Sequence, residues 1–406
     1  MIINKKLSYS LLYNLANAGF PLLTLPFVFR ALPPDTYGDI VFWNVIYQAL
    51  TALFIFSLTS YGIREYKRNK EQCVKEIFTL QCIYTFISLF IYMLISFLFE
   101  KYTSKHNSYE FVFILCIFSS AFYSDWALFA EQEYKKLFFR TIIVKGLLFC
   151  LVILFVKEKN DALIYAFILG GSYISNNILA FYFAKTMYKL KYKIEVHNLL
   201  KYIAKTKYFL SSASVGISYQ YLDQFLAGVL LNNTALAYFN ILKQIIAMLT
   251  TLPITICRFK QPIVSKVYLN IKNIKEYHKG FSIKYTALVI SIFILYITLG
   301  TFFLNLFVGH KFEISSLSVV ISGMIFITSC VSVYLDTQHS IPLSYEKVTF
   351  MGNVVLSLTY LSSMYIAATL YSYNGMLISY FIAELISMIV IIIYYTYNKG
   401  KWYVVD

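Results

Sequence analysis

Charge is what this sequence has least of. Asp, Glu, Lys and Arg together make up 14% of its 406 residues, against about 25% in a soluble globular domain. That is too little to clothe a water-soluble fold of this length. The net charge of +15 has no foldable polar domain to carry it as a phosphate-tracking groove, so nucleic acid is excluded as a partner. The six cysteines (Cys73, Cys82, Cys116, Cys150, Cys257, Cys330) are scattered, mostly inside apolar runs, and read as small packing residues rather than a metal or redox framework. His106, His197, His278, His310 and His339 are isolated, without metal-ligand spacing. No Gly-rich loop with a Lys is present to cradle a phosphate, since Leu169–Ser172 (LGGS) lies in an apolar run and reads as close helix packing. No catalytic residue, metal or cofactor is therefore expected, and the chain is not read as an enzyme. Met1–Ser8 has no charged region followed by a short apolar core and cleavage site, so no removable signal peptide is expected.

What the chain has in abundance is apolar length. Hydrophobic residues make up 59%, and runs such as Ile77–Phe99 and Tyr285–Phe307 reach the roughly 20 residues that a membrane-crossing helix needs. These runs predict an all-α integral membrane protein with about twelve spans. They lie near 10–31, 40–61, 77–99, 110–130, 141–156, 162–184, 208–231, 235–256, 284–307, 314–336, 348–370 and 375–397. Two parallel six-helix bundles follow, 1–184 and 208–406, around a central cavity. The connector 185–207 alternates lysines with Tyr188, Leu190, Tyr192, Ile194 and Leu199. It reads either as an amphipathic helix on the membrane surface or as a basic connector held near anionic lipid. A weak internal echo, Leu32–Leu53 against Leu231–Leu252, agrees with the division into halves.

Most of the 35 basic residues fall in alternate loops, including Lys67 and Lys70, Lys135 and Lys136, Lys189 to Lys207, Lys272 to Lys284, and Lys399 and Lys401. The positive-inside rule then places both termini in the cytoplasm. Every loop on the other side is short, leaving no room for the external domain of a glycan polymerase.

Charges inside apolar runs are costly, about 2.5–3.5 kcal/mol each on insertion scales, and so mark candidate sites. Lys243, Asp223 and Glu384 lie within spans; Asp125, Asp336, Arg30 and Arg64 lie nearer span ends. Two readings stay open for Lys243: an ion pair with Asp223, or a cation facing a hydrated cavity. Arg30 and Arg64 either snorkel to the interface or face the same cavity. Trp43, Tyr47, Tyr219 and Tyr221 read as packing or interfacial aromatics, or as a stacking path for sugar.

Pro21–Phe42 (PLLTLPFVFRALPPDTYGDIVF) resembles the first-span signature of bacterial polysaccharide flippases of the O-antigen type, members of the multidrug/oligosaccharidyl-lipid/polysaccharide exporter superfamily. Pro26, Arg30, Leu32 and Gly38 match, while Pro33 stands where Gly is usual. Further similarities run in order: Tyr61–Glu65; Trp126 through Arg140 and Lys145, with Ala130 and Gln132 replacing Gly and Glu; Asp223, Tyr238, Lys243 and Pro262; Gln338, Pro342, Glu346 and Lys347; and Asn374-Gly375 followed by Glu384.

The resemblance implies a flippase in the bacterial cytoplasmic (inner) membrane. It would turn undecaprenyl-diphosphate-linked oligosaccharide to the outer leaflet by alternating access, for surface polysaccharide assembly. Arg30, Arg64, Lys145, Lys243 and Arg258 are then the candidates for binding the diphosphate, and Asp223 and Glu384 for coupling to a proton or sodium ion. Implied partners are the lipid-linked oligosaccharide, membrane lipid, a glycan polymerase and assembly proteins. The alternative is an ion-coupled multidrug or metabolite exporter of the same architecture; a membrane-embedded glycan polymerase ranks third.

Overall fold

The computed structural model describes residues 5–66, 68–103, 108–190, 192–267, 274–309, 311–312, 314–340, 342–343 and 346–397. Lys67, Lys105, Lys191, Lys272, Lys399, Lys401, His106 and His310 lie outside them, as do the side chains of Tyr219, Pro262 and Glu346. Among the described residues every regular element is helical. The chain divides into two compact units, Met1–Phe225 and Leu226–Asp406.

The first unit begins with α1 (Lys5–Ala31), α2 (Pro34–Thr51) and α3 (Ser57–Tyr66), the last two joined through a π-helical turn at Ala52–Phe56. The break before α2 is local chemistry. Pro33 precedes a proline and is extended (φ −73°, ψ 159°), and Pro34 sits in the first turn, where its missing N–H goes unneeded. Next come α4 (Lys70–Thr103), α5 (Glu110–Ser120), α6 (Asp125–Ala130), α7 (Tyr134–Phe155) and α8 (Ala162–Tyr188). Lys189 takes the left-handed conformation (φ 51°) and ends α8. Among its described residues the connector then runs without helix to a short 3-10 turn at Val196–Asn198 and into α9 (Leu199–Ile217). A π-helical turn at Ser218–Leu222 leads to α10 (Asp223–Leu230), within which the unit boundary falls.

Helix α4 carries the membrane pattern most plainly. Phe86, Phe90 and Phe97 are exposed at 68%, 70% and 62%, while Tyr84, Ser88, Tyr92 and Ser96, spaced four apart, are buried. Apolar rings outside and polar-capable side chains inside invert the soluble pattern, as hydrocarbon solvent requires. Helix α1 lies along α7, with rings meeting at Tyr9–Phe138 and Phe27–Phe149. Where α5 meets α8, a Cβ on Gly170 would come within 2.5 Å of Val112 Cγ1, so only glycine allows this approach.

The second unit contains α11 (Asn233–Val267), α12 (Ile274–Val308), α13 (Ser316–Leu335) and α14 (Glu346–Tyr397), with a π-helical turn at Asp336–Ser340. Asn232 Oδ1 accepts from the backbone N–H of Ala235 at 2.7 Å and starts α11. Helix α13 packs on α11, α12 and α14. Its groups are tied by Tyr285 donating to Cys330 O at 2.9 Å and by the Tyr296–Ser322 hydroxyl pair at 2.7 Å. Helix α14 breaks at Tyr371 and Ser372 (φ 54°). Gly375 follows because a Cβ there would lie 1.8 Å from Ala367 O.

Nine helical stretches among the described residues are long and apolar enough to cross a membrane. The last, Lys347–Tyr394, holds the two final expected spans on either side of the Ser372 break. One further expected span is interrupted, 110–130 being α5 and α6 with a turn between them, whereas 208–231 falls on α9 and α10, which run on through the π-helical turn. The fifth begins at Tyr134, before the expected 141, because Lys135 and Lys136 continue the helix past the apolar run.

Candidate functional site

In the first unit the three candidate cations sit on three different elements. Arg30 is exposed in the last turn of α1. Arg64 closes α3; its Nε donates to Glu65 Oε1 at 2.8 Å, and Arg68 Nη1 donates to the same oxygen at 3.2 Å. The Arg64 guanidinium also lies over the rings of Phe209 (5.0 Å) and Tyr61 (5.7 Å). Lys145, half-buried on α7, donates from Nζ to the main-chain carbonyl of Asn17 at 3.1 Å. That carbonyl is available because its helical donor would be residue 21, a proline without an N–H. Asp223 is wholly buried at the start of α10 and accepts from the Gln224 N–H at 2.7 Å.

In the second unit Lys243 is half-buried on α11, with Nζ 5.7 Å from the centroid of Phe239 and 5.8 Å from that of Tyr380 on α14. Such faces stabilise an ammonium by about 0.5–2 kcal/mol, depending on how dry the site is. One turn beyond Tyr380, Glu384 is buried and accepts hydrogen bonds from Thr328 and, at 2.7 Å, from Ser329 of α13. Lys243 and Glu384 thus flank the same tyrosine. Arg258 is exposed further along α11.

Trp43 and Tyr47 pack inside the first unit, Trp43 against Tyr92 (5.6 Å) and Tyr47 against Tyr173 (5.1 Å). Both are almost wholly buried, which is the packing reading. In the connector, Tyr192 shares a hydrogen bond with Ser124 at 3.1 Å, and burial pushes its phenol up to about 12, so it stays neutral.

Several charged or polar groups that the sequence did not single out as partners come together. Arg140 grips Asp125 with two hydrogen bonds, 2.5 and 2.8 Å, both side chains buried. Glu76 is buried on α4, with Lys205 Nζ at 2.6 Å, Gln72 Nε2 at 3.1 Å and the Tyr61 hydroxyl as donors. Glu110 accepts from Ser96. His278 and His339, 61 residues apart in the chain, stack face to face at 4.5 Å.

A sequence profile of the polysaccharide biosynthesis protein family matches residues 3–267. The chain belongs to that family. A "Putative O-antigen transporter" of Shigella dysenteriae is 21% identical over 381 residues, covering 91% of this chain and 94% of its own. Among solved structures, a lipid II flippase, MurJ, in an inward closed conformation matches with a TM-score of 0.69 at 15% identity, over 95% of this chain and 87% of that one. An inward-facing MATE-family multidrug transporter of the MOP superfamily matches at 0.64 and 14% identity, over 97% and 95%. The resemblance to polysaccharide flippases thus holds, and the fold is the one these transporters share. Within the family the chain is a multi-pass membrane protein, and its buried charges fall on helices.

Proposed function

We propose that the protein is a flippase that carries diphosphate-linked, lipid-anchored oligosaccharide from the cytoplasmic to the outer leaflet of a bacterial inner membrane. The family match over residues 3–267 carries this reading. The likeness to the Shigella protein over nine-tenths of the chain supports it. Twelve spans with both termini in the cytoplasm, and halves at 1–184 and 208–406 joined by 185–207, belong to the same proposal.

A diphosphate keeps its negative charge and needs Arg or Lys to enter low dielectric. Arg30, Arg64 and Lys145 in the first unit, and Lys243 and Arg258 in the second, supply that charge. Lys243 is the strongest of them: it sits inside a span, with its ammonium over the rings of Phe239 and Tyr380. Lys145 also serves the Asn17 carbonyl, so its role is double. Glu384 and Asp223 are the proposed coupling acids for a proton or sodium ion, each being buried in a helix. A glycan polymerase and assembly proteins are the proposed partners.

The multidrug-exporter reading draws on the fold shared with the MATE-family transporter. A site for cationic drugs needs acids with no basic partner, and of the buried acids Glu76 and Asp125 are already paired with Lys205 and Arg140.

Surface glycan and membrane abundance, measured together for Lys243→Ala and Lys243→Arg, test the proposal. The flippase reading expects Lys243→Ala to insert normally yet deliver little glycan, and Lys243→Arg to keep part of the activity. Full delivery by Lys243→Ala would remove this residue from the site.

A further inference from the structure

We propose that the Glu76–Lys205 pair is a latch that holds the cytoplasmic end of α9 against α3 and α4, and that it must part for transport to proceed. The proposal rests on the flippase reading above.

A carboxylate buried in a membrane helix needs partners, and Glu76 has three on three elements. Tyr61 comes from α3, Gln72 from α4 itself and Lys205 from α9. The arrangement is asymmetric. The Glu76 side chain is 3% exposed, whereas that of Lys205 is 40% exposed. If α9 withdraws, Glu76 keeps the hydrogen bonds from Tyr61 and Gln72, and the Lys205 ammonium passes into water. Neither group is stranded, so the pair can open at modest cost. The Arg140–Asp125 pair is the opposite case: its side chains are 3% and 10% exposed, and separating them would strand two buried charges.

Further contacts join α9 to its neighbours. Gln72 Nε2 donates to the Tyr202 hydroxyl at 3.2 Å, Arg64 lies over Phe209, and Tyr61 meets Phe209 edge-on at 5.9 Å. Beside these polar and aromatic contacts, α9 also buries Tyr202 and packs Leu199, Ile203 and Leu210 against the apolar core of the unit. Beneath them Cys73 is buried, its thiol directed at Gly62 O at 3.8 Å. The chain passes from the first compact unit into the second within α10, the helix that follows α9. A contact on α9 that opens without stranding a charge suits that position.

Cross-linking tests the latch. In a chain freed of native cysteines, Glu76→Cys/Lys205→Cys is reconstituted into proteoliposomes holding a prenyl-diphosphate oligosaccharide. It is then treated with a bis-methanethiosulfonate reagent long enough to span the two thiols. The latch predicts that translocation falls by about tenfold or more on cross-linking and returns on reduction, since a cross-linked chain cannot populate the parted state and apparent activity scales with the competent fraction. Cross-linked protein that works within about twofold of the untreated protein overturns the latch, since distant, independent changes already differ by about 0.3–0.5 kcal/mol. A wild-type chain that translocates nothing contradicts the flippase reading instead.

Should the paired variant fail to insert, Lys205→Ala decides the matter in a chain that keeps only Cys73. The latch expects normal abundance and Cys73 labelling by a small thiol reagent accelerated about fivefold, the loss of one partly exposed ion pair. Unchanged labelling, with or without a fall in abundance, marks a static tie and overturns the proposal.

Discussion

Lys145 Nζ supplies the carbonyl of Asn17 with the donor that Pro21, four residues on, cannot provide. The bond crosses from α7 to α1, so a proline in one helix is answered by a lysine in another. Removing the lysine leaves a part-buried carbonyl without this donor, at about 1–3 kcal/mol. Lys145→Met is expected to lower membrane abundance, and Pro21→Ala to restore it by returning the helical N–H. Abundance of the single and double variants measures this. If the double variant is no better than Lys145→Met, the lysine is not answering the proline.

The Arg140–Asp125 fork should matter to folding alone. Truncating either partner leaves the other charge buried, a loss of about 3–5 kcal/mol. Arg140→Ala and Asp125→Ala are expected to be scarce and to unfold at lower temperature in detergent. Arg140→Gln/Asp125→Asn should recover part of the loss. Single variants as heat-resistant as the parent would refute the burial argument.

Two adjacent glycines give an internal control. A side chain at Gly170 meets Val112 and Cys116, while at Gly171 nothing lies within 4 Å of the added Cβ. Overpacking at such a helix crossing costs about 1–3 kcal/mol. Gly170→Val should lower thermal stability and Gly171→Val should leave it unchanged. Equal effects at both positions would mean that the α5–α8 crossing is looser than described.

Glu384 accepts from Thr328 and Ser329, and a glutamine in its place can still accept through its amide oxygen. Glu384→Gln should therefore fold. If Glu384 carries the coupling ion, the variant's glycan delivery becomes insensitive to collapse of the proton or sodium gradient. Retained gradient dependence would take Glu384 out of the coupling path.

The long spans were legible because length and hydropathy alone make them: Ile77–Phe99 and Tyr285–Phe307 fall inside α4 and α12. The break between α5 and α6 was not. It has no proline or glycine, and its Tyr123 carbonyl is satisfied at 2.7 Å by Gln81 of α4, forty-two residues away. No local pattern records such a partner. Lys243 stood out in sequence as a charge inside an apolar run, and Phe239, one turn earlier, could be read beside it. Tyr380 could not, because α14 supplies it. Glu76 was passed over because it borders the apolar run, where a carboxylate reads as solvated. The approach of α3 and α9 makes it a buried acid.

Translocation of a diphosphate-linked glycan is measured most directly as leaflet exchange in proteoliposomes. A fluorescent prenyl-diphosphate oligosaccharide placed in one leaflet is followed by its loss to an impermeant quencher. The account predicts transfer that requires the protein, is competed by unlabelled prenyl-diphosphate oligosaccharide and is indifferent to a cationic drug. Transfer no faster than in protein-free liposomes, or transfer competed only by the drug, would contradict it.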